Sequence, residues 1–332
     1  MKQLTIYFLL ALLIVSCNKQ TPSGNASSYY DLQESGVKTG GVKMITVHGK
    51  YKVWTKRFGN GKIKVLLLHG GPGCTHEYFE CFESFLPQEG IEFYEYDQLG
   101  SFYSDQPTDT LLWQIPQRIE EVEEVRQGLG LDSFYILGHS WGGMLAIEYA
   151  LKYQQHLKGI VISNMVASIP KYEQRIADLR KQLSPEVNDT IDRFEKSGNT
   201  SDTAYMILVQ REFYKRFICR LPEWPDPLAR GMNHLNVNVY GYMQGASEMV
   251  VTGKMKGWTR WDDLKNITVP MLTIGGEYDE MSPKEMEEMS KLVKHGRYLY
   301  CPNGSHFSFW DDQEHYFPGL ISFLKDVDAG KM

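Results

Sequence analysis

A serine flanked by glycines lies where an apolar run meets a helix-like segment, and this junction constrains the fold more than any other feature. The segment 138–142 reads Gly-His-Ser-Trp-Gly. It follows an apolar run at 134–137, typical of a buried strand, and precedes an amphipathic segment at 144–153. A direct turn from strand to helix is so sharp that its flanking positions need glycine, and the serine hydroxyl is left at the tip. The pattern predicts Ser140 as a nucleophile.

Apolar runs alternate with helix-like segments along the rest of the chain. Some runs are continuously apolar or aromatic, as expected of strands buried on both faces of a parallel sheet. In the clearest helix, 117–129, Ile119, Val122 and Val125 have helical spacing. This alternation predicts an α/β fold with a mostly parallel, doubly wound sheet. The predicted strands are an opening hairpin at 43–47 and 51–55, then 65–68, 93–96, 134–137, 159–163, 271–275 and 297–300.

A long insertion interrupts the alternation. Roughly 110 residues separate the strand near Ile160 from the strand near Leu272, far more than one crossover helix requires. The inserted sequence is charged, helix-prone and aromatic, which predicts a helical cap subdomain. The predicted organisation is a leader at 1–17, a polar tether at 18–40, the first part of the core at 41–168, the cap at 169–262 and the second part of the core at 263–332.

The first seventeen residues have the layout of an export signal. Lys2 precedes an apolar run from Leu4 to Val15, which is too short for a comfortable membrane span. The residues 14–17, Ile-Val-Ser-Cys, resemble a bacterial lipobox, in which Cys17 becomes a lipid anchor. We therefore expect an exported, cell-envelope lipoprotein that faces the periplasm or the exterior of a bacterium and touches the membrane through this anchor only. The alternative is an ordinary cleaved signal in which Cys17 is incidental.

Charge and cysteine spacing limit the cofactors and partners. The net charge is -6 and no run of Lys and Arg is present, so we expect no nucleic-acid binding. No Cys-x-x-Cys or compact Cys/His cluster is present, so we expect no metal, and no other cofactor or obligate protein partner is inferred. Export would permit disulfides among four cysteines, with three possible pairings that the sequence does not distinguish: Cys74, Cys81, Cys219 and Cys301.

A serine nucleophile needs a base, and the base needs a buried acid to hold it in one tautomer. After a strand–turn–helix serine these partners follow in the order acid, then histidine, each at the end of a strand. Asp279 and His306 occupy such positions, after the strands at 271–275 and 297–300. Glu277 is a competing acid. We favour Asp279 because its position before Met281 suits a carboxylate that projects towards the histidine loop.

The tetrahedral intermediate also needs backbone N–H donors. His-Gly-Gly-Pro-Gly at 69–73 directly follows the strand at 65–68, and its glycines let the backbone approach a substrate closely. The N–H groups of Gly71 and Trp141 are therefore predicted as the oxyanion hole. His69 is predicted to be a structural hydrogen-bonding residue, and Asp97 to belong to a scaffold turn.

Five motifs taken together resemble the proline iminopeptidase (prolyl aminopeptidase) family of α/β-hydrolase serine peptidases. The resemblance spans about residues 42 to 325. It implies an α/β-hydrolase fold that releases an N-terminal residue, often proline, from short peptides with a free N-terminus. The motifs are His-Gly-Gly-Pro-Gly at 69–73, Tyr-Asp-Gln-x-Gly at 96–100, Gly-His-Ser-Trp-Gly-Gly at 138–143, Gly-Glu-Tyr-Asp-Glu at 276–280 and Gly-Ser-His at 304–306.

The resemblance also implies a site for the substrate's ammonium group. The family uses two glutamates for it, and these correspond to Glu248 and Glu280. Trp141, Trp258 and the cap aromatics are candidates for the pocket wall. One departure is Phe102, which replaces the second glycine that the family often has in Asp-Gln-x-Gly-x-Gly and so leaves substrate size open.

Two other functions fit parts of the sequence. Another hydrolase of the same superfamily, such as an esterase, a lactonase or an amino-acid amidase, would share the serine, aspartate and histidine. A non-catalytic lipoprotein that binds peptides with the cap is a further alternative. A carboxylate nucleophile, as in epoxide hydrolases, is disfavoured by Ser140.

Overall fold

The structure is a computed structural model that describes residues 41–200, 202–245 and 247–332. The predicted leader, tether and lipid anchor at Cys17 lie outside the described residues. The strands are β1 (Val42–Val47), β2 (Tyr51–Phe58), β3 (Ile63–Leu68), β4 (Ile91–Tyr96), β5 (Phe134–His139), β6 (Leu157–Ser163), β7 (Met271–Gly276) and β8 (Gly296–Cys301). The helices are α1 (Ile115–Leu129), α2 (Trp141–Tyr153), α3 (Ile169–Arg180), α4 (Pro185–Ser197), α5 (Thr203–Val209), α6 (Lys215–Phe217), α7 (Asp226–Asn233), α8 (Val237–Met243), α9 (Pro283–Leu292), α10 (Ser308–Asp311) and α11 (Gln313–Asp328).

The strands form one sheet in the order β1-β2-β4-β3-β5-β6-β7-β8. The hairpin partners β1 and β2 are antiparallel, β2 pairs antiparallel with β4, and the remaining neighbours are parallel. Strands β4, β5 and β7 are buried along their whole length, which explains why apolar and aromatic residues predominate on both of their faces; the acidic exceptions are Glu92 and Glu95 of β4. The predicted mostly parallel α/β sheet is confirmed.

The parallel strands bring four loops to one edge of the sheet. The segments after β3, β5, β7 and β8 all leave from carboxyl ends, where ligands bind in open α/β sheets. Strands β3 and β5 are direct neighbours, with Leu68 opposite Gly138, so the loop 69–73 lies beside the turn at Ser140. This topology, rather than any contact within one motif, assembles the site.

Helices α3 to α8 occupy the long insertion between β6 and β7. Part of the insertion lies on the loop after β3, because the Asn236 N–H donates to the Gly73 carbonyl at 2.9 Å and its side-chain amide donates to the Gly100 carbonyl at 2.7 Å. We call residues 169–262 the cap. No helix in the described part of the chain is both long enough and apolar enough to cross a membrane.

The four described cysteines do not form the disulfides that the sequence left open. Each of the four that the structure describes is buried and free, so no disulfide links any two of them: Cys74, Cys81, Cys219 and Cys301. They pack as small apolar side chains in the hydrophobic core.

Candidate active site

Ser140 lies on a turn that only glycine neighbours permit. Its backbone is in an unusual conformation (φ 55°, ψ -128°), and α2 begins at the very next residue. A Cβ atom on Gly138 would lie 2.0 Å from the Gly142 carbonyl oxygen, and one on Gly142 would lie 2.0 Å from the Leu68 carbonyl oxygen. The backbone at Gly138 and Gly142 thus lies too close to its neighbours for any side chain. The strained turn that these glycines permit holds Ser140 just after the carboxyl end of β5.

Asp279 and His306 are in direct contact with each other. The His306 Nδ1 lies 3.0 Å from Asp279 Oδ1, and both side chains are buried. The competing acid, Glu277, lies elsewhere: it is exposed and accepts a hydrogen bond of 2.7 Å from the Tyr300 hydroxyl. Of the two candidate acids, the structure therefore places Asp279 against the histidine, in the geometry by which an acid orients an imidazole.

Asn164 holds this aspartate, and the sequence analysis missed it. Its side-chain amide donates to Asp279 Oδ2 at 2.7 Å and to the Ser305 carbonyl at 3.0 Å. The residue has a left-handed backbone (φ 54°), which asparagine tolerates better than most residues. A lone asparagine after β6 matches no motif. The nearest signal is its position at the carboxyl end of a central strand.

The loop after β3 packs against the nucleophile. A Cβ atom on Gly70 would lie 2.8 Å from the Ser140 Cβ, so the backbone of this loop directly adjoins the serine. Gly71 has a φ of +107°, a conformation that a side chain would strain. Trp141 is the first residue of α2, where an N–H has no partner within the helix and the helix dipole favours negative charge. Trp141 thus follows Ser140 directly, and Gly71 belongs to the loop that adjoins the serine through Gly70.

His69 and Asp97 belong to the scaffold below this loop. The His69 Nε2 accepts a hydrogen bond of 3.0 Å from the Gln98 N–H, and burial lowers the pKa of His69, which favours the neutral ring. Gln98 in turn accepts a hydrogen bond of 2.8 Å from the Trp141 indole. Asp97 accepts from the His76 N–H at 2.6 Å. These contacts connect the carboxyl ends of β3 and β4, from which His69 and Asp97 follow.

Glu248 of the cap and Glu280 of the core lie on one tyrosine hydroxyl. The Tyr172 hydroxyl is 3.4 Å from Glu248 Oε1 and 3.3 Å from Glu280 Oε2. Burial raises the pKa of Glu280 well above 4.5, and the charges of Glu248 and Asp279 raise it further. Among the described residues, neither glutamate is paired with a lysine or an arginine, and Glu280 Oε1 has no hydrogen-bond partner. Two acids so placed attract a cation.

Three cap tyrosines surround this pair, and the sequence analysis did not assign them. Tyr172 bridges the two glutamates, and the Tyr240 hydroxyl donates to Glu248 Oε2 at 2.8 Å. Burial and the charges of Glu248 and Glu280 raise the pKa of Tyr214, which therefore lies near both. The only signal in the sequence was the aromatic richness of the cap.

The glutamate pair adjoins the histidine itself. Glu280 Oε1 lies 3.7 Å from His306 Nε2, the nitrogen opposite the one that Asp279 holds. These two side chains are therefore closer to each other than the 3.8 Å that separates consecutive Cα atoms, about the length of one amino-acid residue.

The structure gives specific contacts for three aromatic residues that the sequence analysis named: Trp258, Trp141 and Phe102. The Trp258 indole donates to Glu148 at 2.6 Å, and Glu148 lies eight residues along α2, about 12 Å from Ser140 at the helical rise. The Trp141 ring is 1% exposed and buried against Gln98. Phe102 is 50% exposed and stacks on His234 of the cap, with ring centroids 3.9 Å apart.

Comparison with known proteins identifies the family. The family of the alpha/beta hydrolase fold matches residues 64–313. The proline iminopeptidase of Flavobacterium johnsoniae is 54% identical over 295 residues, which cover 88% of this chain and 99% of that protein. The crystal structure of VinJ has a TM-score of 0.82 and 31% identity, covering 86% of this chain and 98% of VinJ. The crystal structure of the proline iminopeptidase of Mycobacterium smegmatis has a TM-score of 0.80 and 28% identity, covering 88% of this chain and 100% of that one.

These matches cover most of the chain, and the family match spans both parts of the core and the inserted helices. The chain belongs to the proline iminopeptidase family of α/β hydrolases.

Proposed function

We propose that this chain is a serine aminopeptidase that releases an N-terminal residue, with proline preferred, from short peptides through an acyl-enzyme. The observation that carries the proposal is the distance of 3.7 Å between Glu280 Oε1 and His306 Nε2. This distance supports the proposal because an ammonium bound at Glu280 would lie beside the base that would serve the scissile bond.

This distance limits the cleavage to one residue. The amine nitrogen and the carbonyl carbon of one amino acid are about 2.5 Å apart, from the N–Cα and Cα–C bonds and the angle between them. An ammonium held by Glu248 and Glu280 therefore presents the first peptide bond of the chain to Ser140. A blocked N-terminus would leave the two carboxylates without a cation in a buried site, which costs free energy.

The chemistry follows from the same contacts. Ser140 Oγ attacks the first carbonyl carbon while His306 Nε2 accepts its proton, and Asp279 stabilises the imidazolium through Nδ1. The Gly71 and Trp141 N–H groups donate to the oxyanion. The C–N bond then breaks, and the imidazolium gives its proton to the departing amine. Water, deprotonated by the same histidine, releases the N-terminal amino acid and regenerates the serine.

The test compares arylamides of Pro, Ala and Phe, their N-blocked forms and a simple acyl ester. We expect the free Pro-arylamide to be the best substrate, and Ser140→Ala to be inactive and unlabelled by a serine-reactive phosphonate. Glu248→Gln and Glu280→Gln should lose about a hundredfold or more in kcat/KM on free amines, in line with the loss of one partner of a buried charge pair. Glu277→Gln, on the surface, is the matched control.

Two outcomes would point to the other functions. Unchanged discrimination between free and N-blocked substrates in both glutamate variants, with fast ester hydrolysis, would favour an esterase, lactonase or amidase. Failure of the phosphonate to label the intact protein would favour a non-catalytic peptide-binding protein.

We further propose that the protein is an exported lipoprotein anchored through Cys17 and that it acts on peptides in the cell envelope. The support is the sequence of the leader, with its short apolar run and the Ile-Val-Ser-Cys segment at 14–17. In a bacterial host, radiolabelled palmitate should be incorporated and the protein should fractionate with membranes. Cys17→Ser should abolish both, and persistence of membrane association in this variant would contradict the anchor.

A further inference from the structure

The loop that carries the catalytic histidine is bonded to the cap. The His306 N–H donates to the Phe217 carbonyl at 3.0 Å, and the Phe307 N–H donates to the Ile218 carbonyl at 2.9 Å. The Ser305 hydroxyl lies 2.9 Å from the same Ile218 oxygen. The histidine loop therefore pairs with a cap segment, which we define as residues 217–220 and call the strap.

One carboxylate holds both sides of this contact. Asp311, at the end of α10, accepts the Ser305 N–H at 3.0 Å through Oδ1 and the Arg220 N–H at 3.0 Å through Oδ2. The Ser305 hydroxyl also contacts Asp311. Burial raises the pKa of Asp311 to about 6, against the effect of these hydrogen bonds, so the group is ionised and accepting at neutral pH.

The strap continues directly into the amine pocket. The N–H groups of Ile218 and Cys219 donate to the Tyr214 carbonyl at 2.9 and 3.1 Å. The Tyr214 side chain lies near Glu248 and Glu280. One turn of backbone thus separates the pocket that would receive the substrate's ammonium from the segment that holds the histidine loop.

We propose that Asp311 is a positioning residue that ties the histidine loop to the strap, so that His306 is correctly placed only while this part of the cap is docked. The inference rests on the proposed function because it concerns the placement of its base. If the histidine loop were displaced by about 1 Å, the rate would fall by up to about a hundredfold.

The test compares Asp311→Asn with Glu124→Gln. The amide in the first variant presents an NH2 group to the fixed Arg220 N–H or to the Ser305 N–H, and one of these hydrogen bonds is lost. Glu124 is the matched control because it is also half-buried and accepts a backbone N–H from a distant segment, that of His48 at 2.7 Å, but this contact holds the β1–β2 turn and not the histidine loop.

We expect Asp311→Asn to lower kcat for the Pro-arylamide by about tenfold to a hundredfold with KM changed by less than about threefold, since ground-state binding is retained. The downfield proton NMR signal of the His306–Asp279 hydrogen bond should shift or broaden in this variant only. Glu124→Gln should lower the melting temperature without either effect.

An unchanged kcat in Asp311→Asn, or an equal loss of kcat in Glu124→Gln, would overturn the inference. If Asp311→Asn does not fold, Ser305→Ala removes the hydroxyl and keeps the backbone contacts; a kcat in that variant equal to that of the wild type would also overturn it. A wild-type protein that cleaves esters but no arylamides would refute the aminopeptidase function alone, because His306 also serves ester cleavage and the same variants can be compared on the ester.

Discussion

At the scale of single residues, Glu280 is a side chain that suits the proposed binding of an ammonium but lowers the stability of the folded protein. Its side chain is 0% exposed, and no lysine or arginine in the described part of the chain forms an ion pair with it. Burying a carboxyl group without a cation is costly, and hydrophobic packing alone would not select an acid here. Within the proposed function, Glu280 is one of two carboxylates whose site is completed by a bound ammonium.

This cost predicts a pH-dependent gain in stability for Glu280→Gln. Because the pKa of Glu280 is raised in the folded protein, its contribution to stability is full below the ordinary value of 4.5 and is lost as the pH rises through the folded value. Glutamine does not ionise and avoids that loss. The melting temperature of the variant should therefore exceed that of the wild type by more at pH 8 than at pH 5. The surface variant Glu277→Gln should show no such trend, and an equal gain at both pH values would contradict the expectation.

Asn164 leads to a second prediction for a single residue. Asn164→Gly keeps the left-handed backbone available but removes the amide that donates to Asp279 and Ser305. We expect a loss of about 1–3 kcal/mol in the free energy of unfolding, since buried acceptors lose their donor. The value of kcat should fall by about tenfold, as expected when an orienting acid is less well held. Urea unfolding and steady-state kinetics measure the two effects.

His48→Gly is a suitable control for the backbone, because His48 also has a left-handed conformation (φ 49°) but lies in the β1–β2 turn. It should leave kcat unchanged. If Asn164→Gly and His48→Gly had the same kcat, a role of Asn164 in holding the acid would be untenable.

At the scale of secondary-structure elements, the decisive contact is that of the β5–α2 turn with the end of β3. Gly142→Ala would bring a Cβ to 2.0 Å from the Leu68 carbonyl, which is fixed in the sheet and cannot move away. We expect a loss of about 3 kcal/mol in the free energy of unfolding and no measurable activity. Gly241→Ala on α8 meets nothing within 4 Å and should stabilise the protein by about 0.5–1 kcal/mol. Wild-type activity in Gly142→Ala would refute the steric account of the turn.

At the scale of the whole molecule, the cap is held on the core by a buried acid as well as by the strap. Glu77 of the core is 1% exposed and contacts two side chains of the cap, Arg230 at 2.7 Å and His234 at 2.6 Å. Further hydrogen bonds from Thr75 and Tyr103 satisfy the same carboxylate. The Glu77 contact thus fixes the cap at a place separate from the strap.

Removing the arginine should loosen this contact measurably. Arg230→Met leaves Glu77 partly unpaired in a buried position, and we expect a loss of about 1–3 kcal/mol in the free energy of unfolding. Arg211→Met is the matched control because Arg211 is 65% exposed in its pair with Glu212, and such surface pairs contribute about 0–1 kcal/mol. Equal losses in the two variants, measured by urea unfolding, would show that the Glu77 contact does not hold the cap.

The sequence by itself determined those features that depend on neighbouring residues. Gly138 and Gly142 predict the turn at Ser140 because the steric conflict they avoid is local. The apolar runs predict the sheet because burial on both faces leaves a pattern within each strand. Asp279 and His306 were found in the same way, by their positions just after strands.

Only the tertiary structure decided which distant side chains meet. Asn164 and Asp279 are 115 residues apart in the chain, and Tyr172 and Glu280 are 108 apart. No local pattern marks such pairs, because their contact depends on how the cap packs against the core. For the same reason the sequence left open disulfides between cysteines that are in fact free. Local steric conflicts and periodic burial depend on neighbouring residues, whereas contacts between remote segments form only when the whole chain has packed.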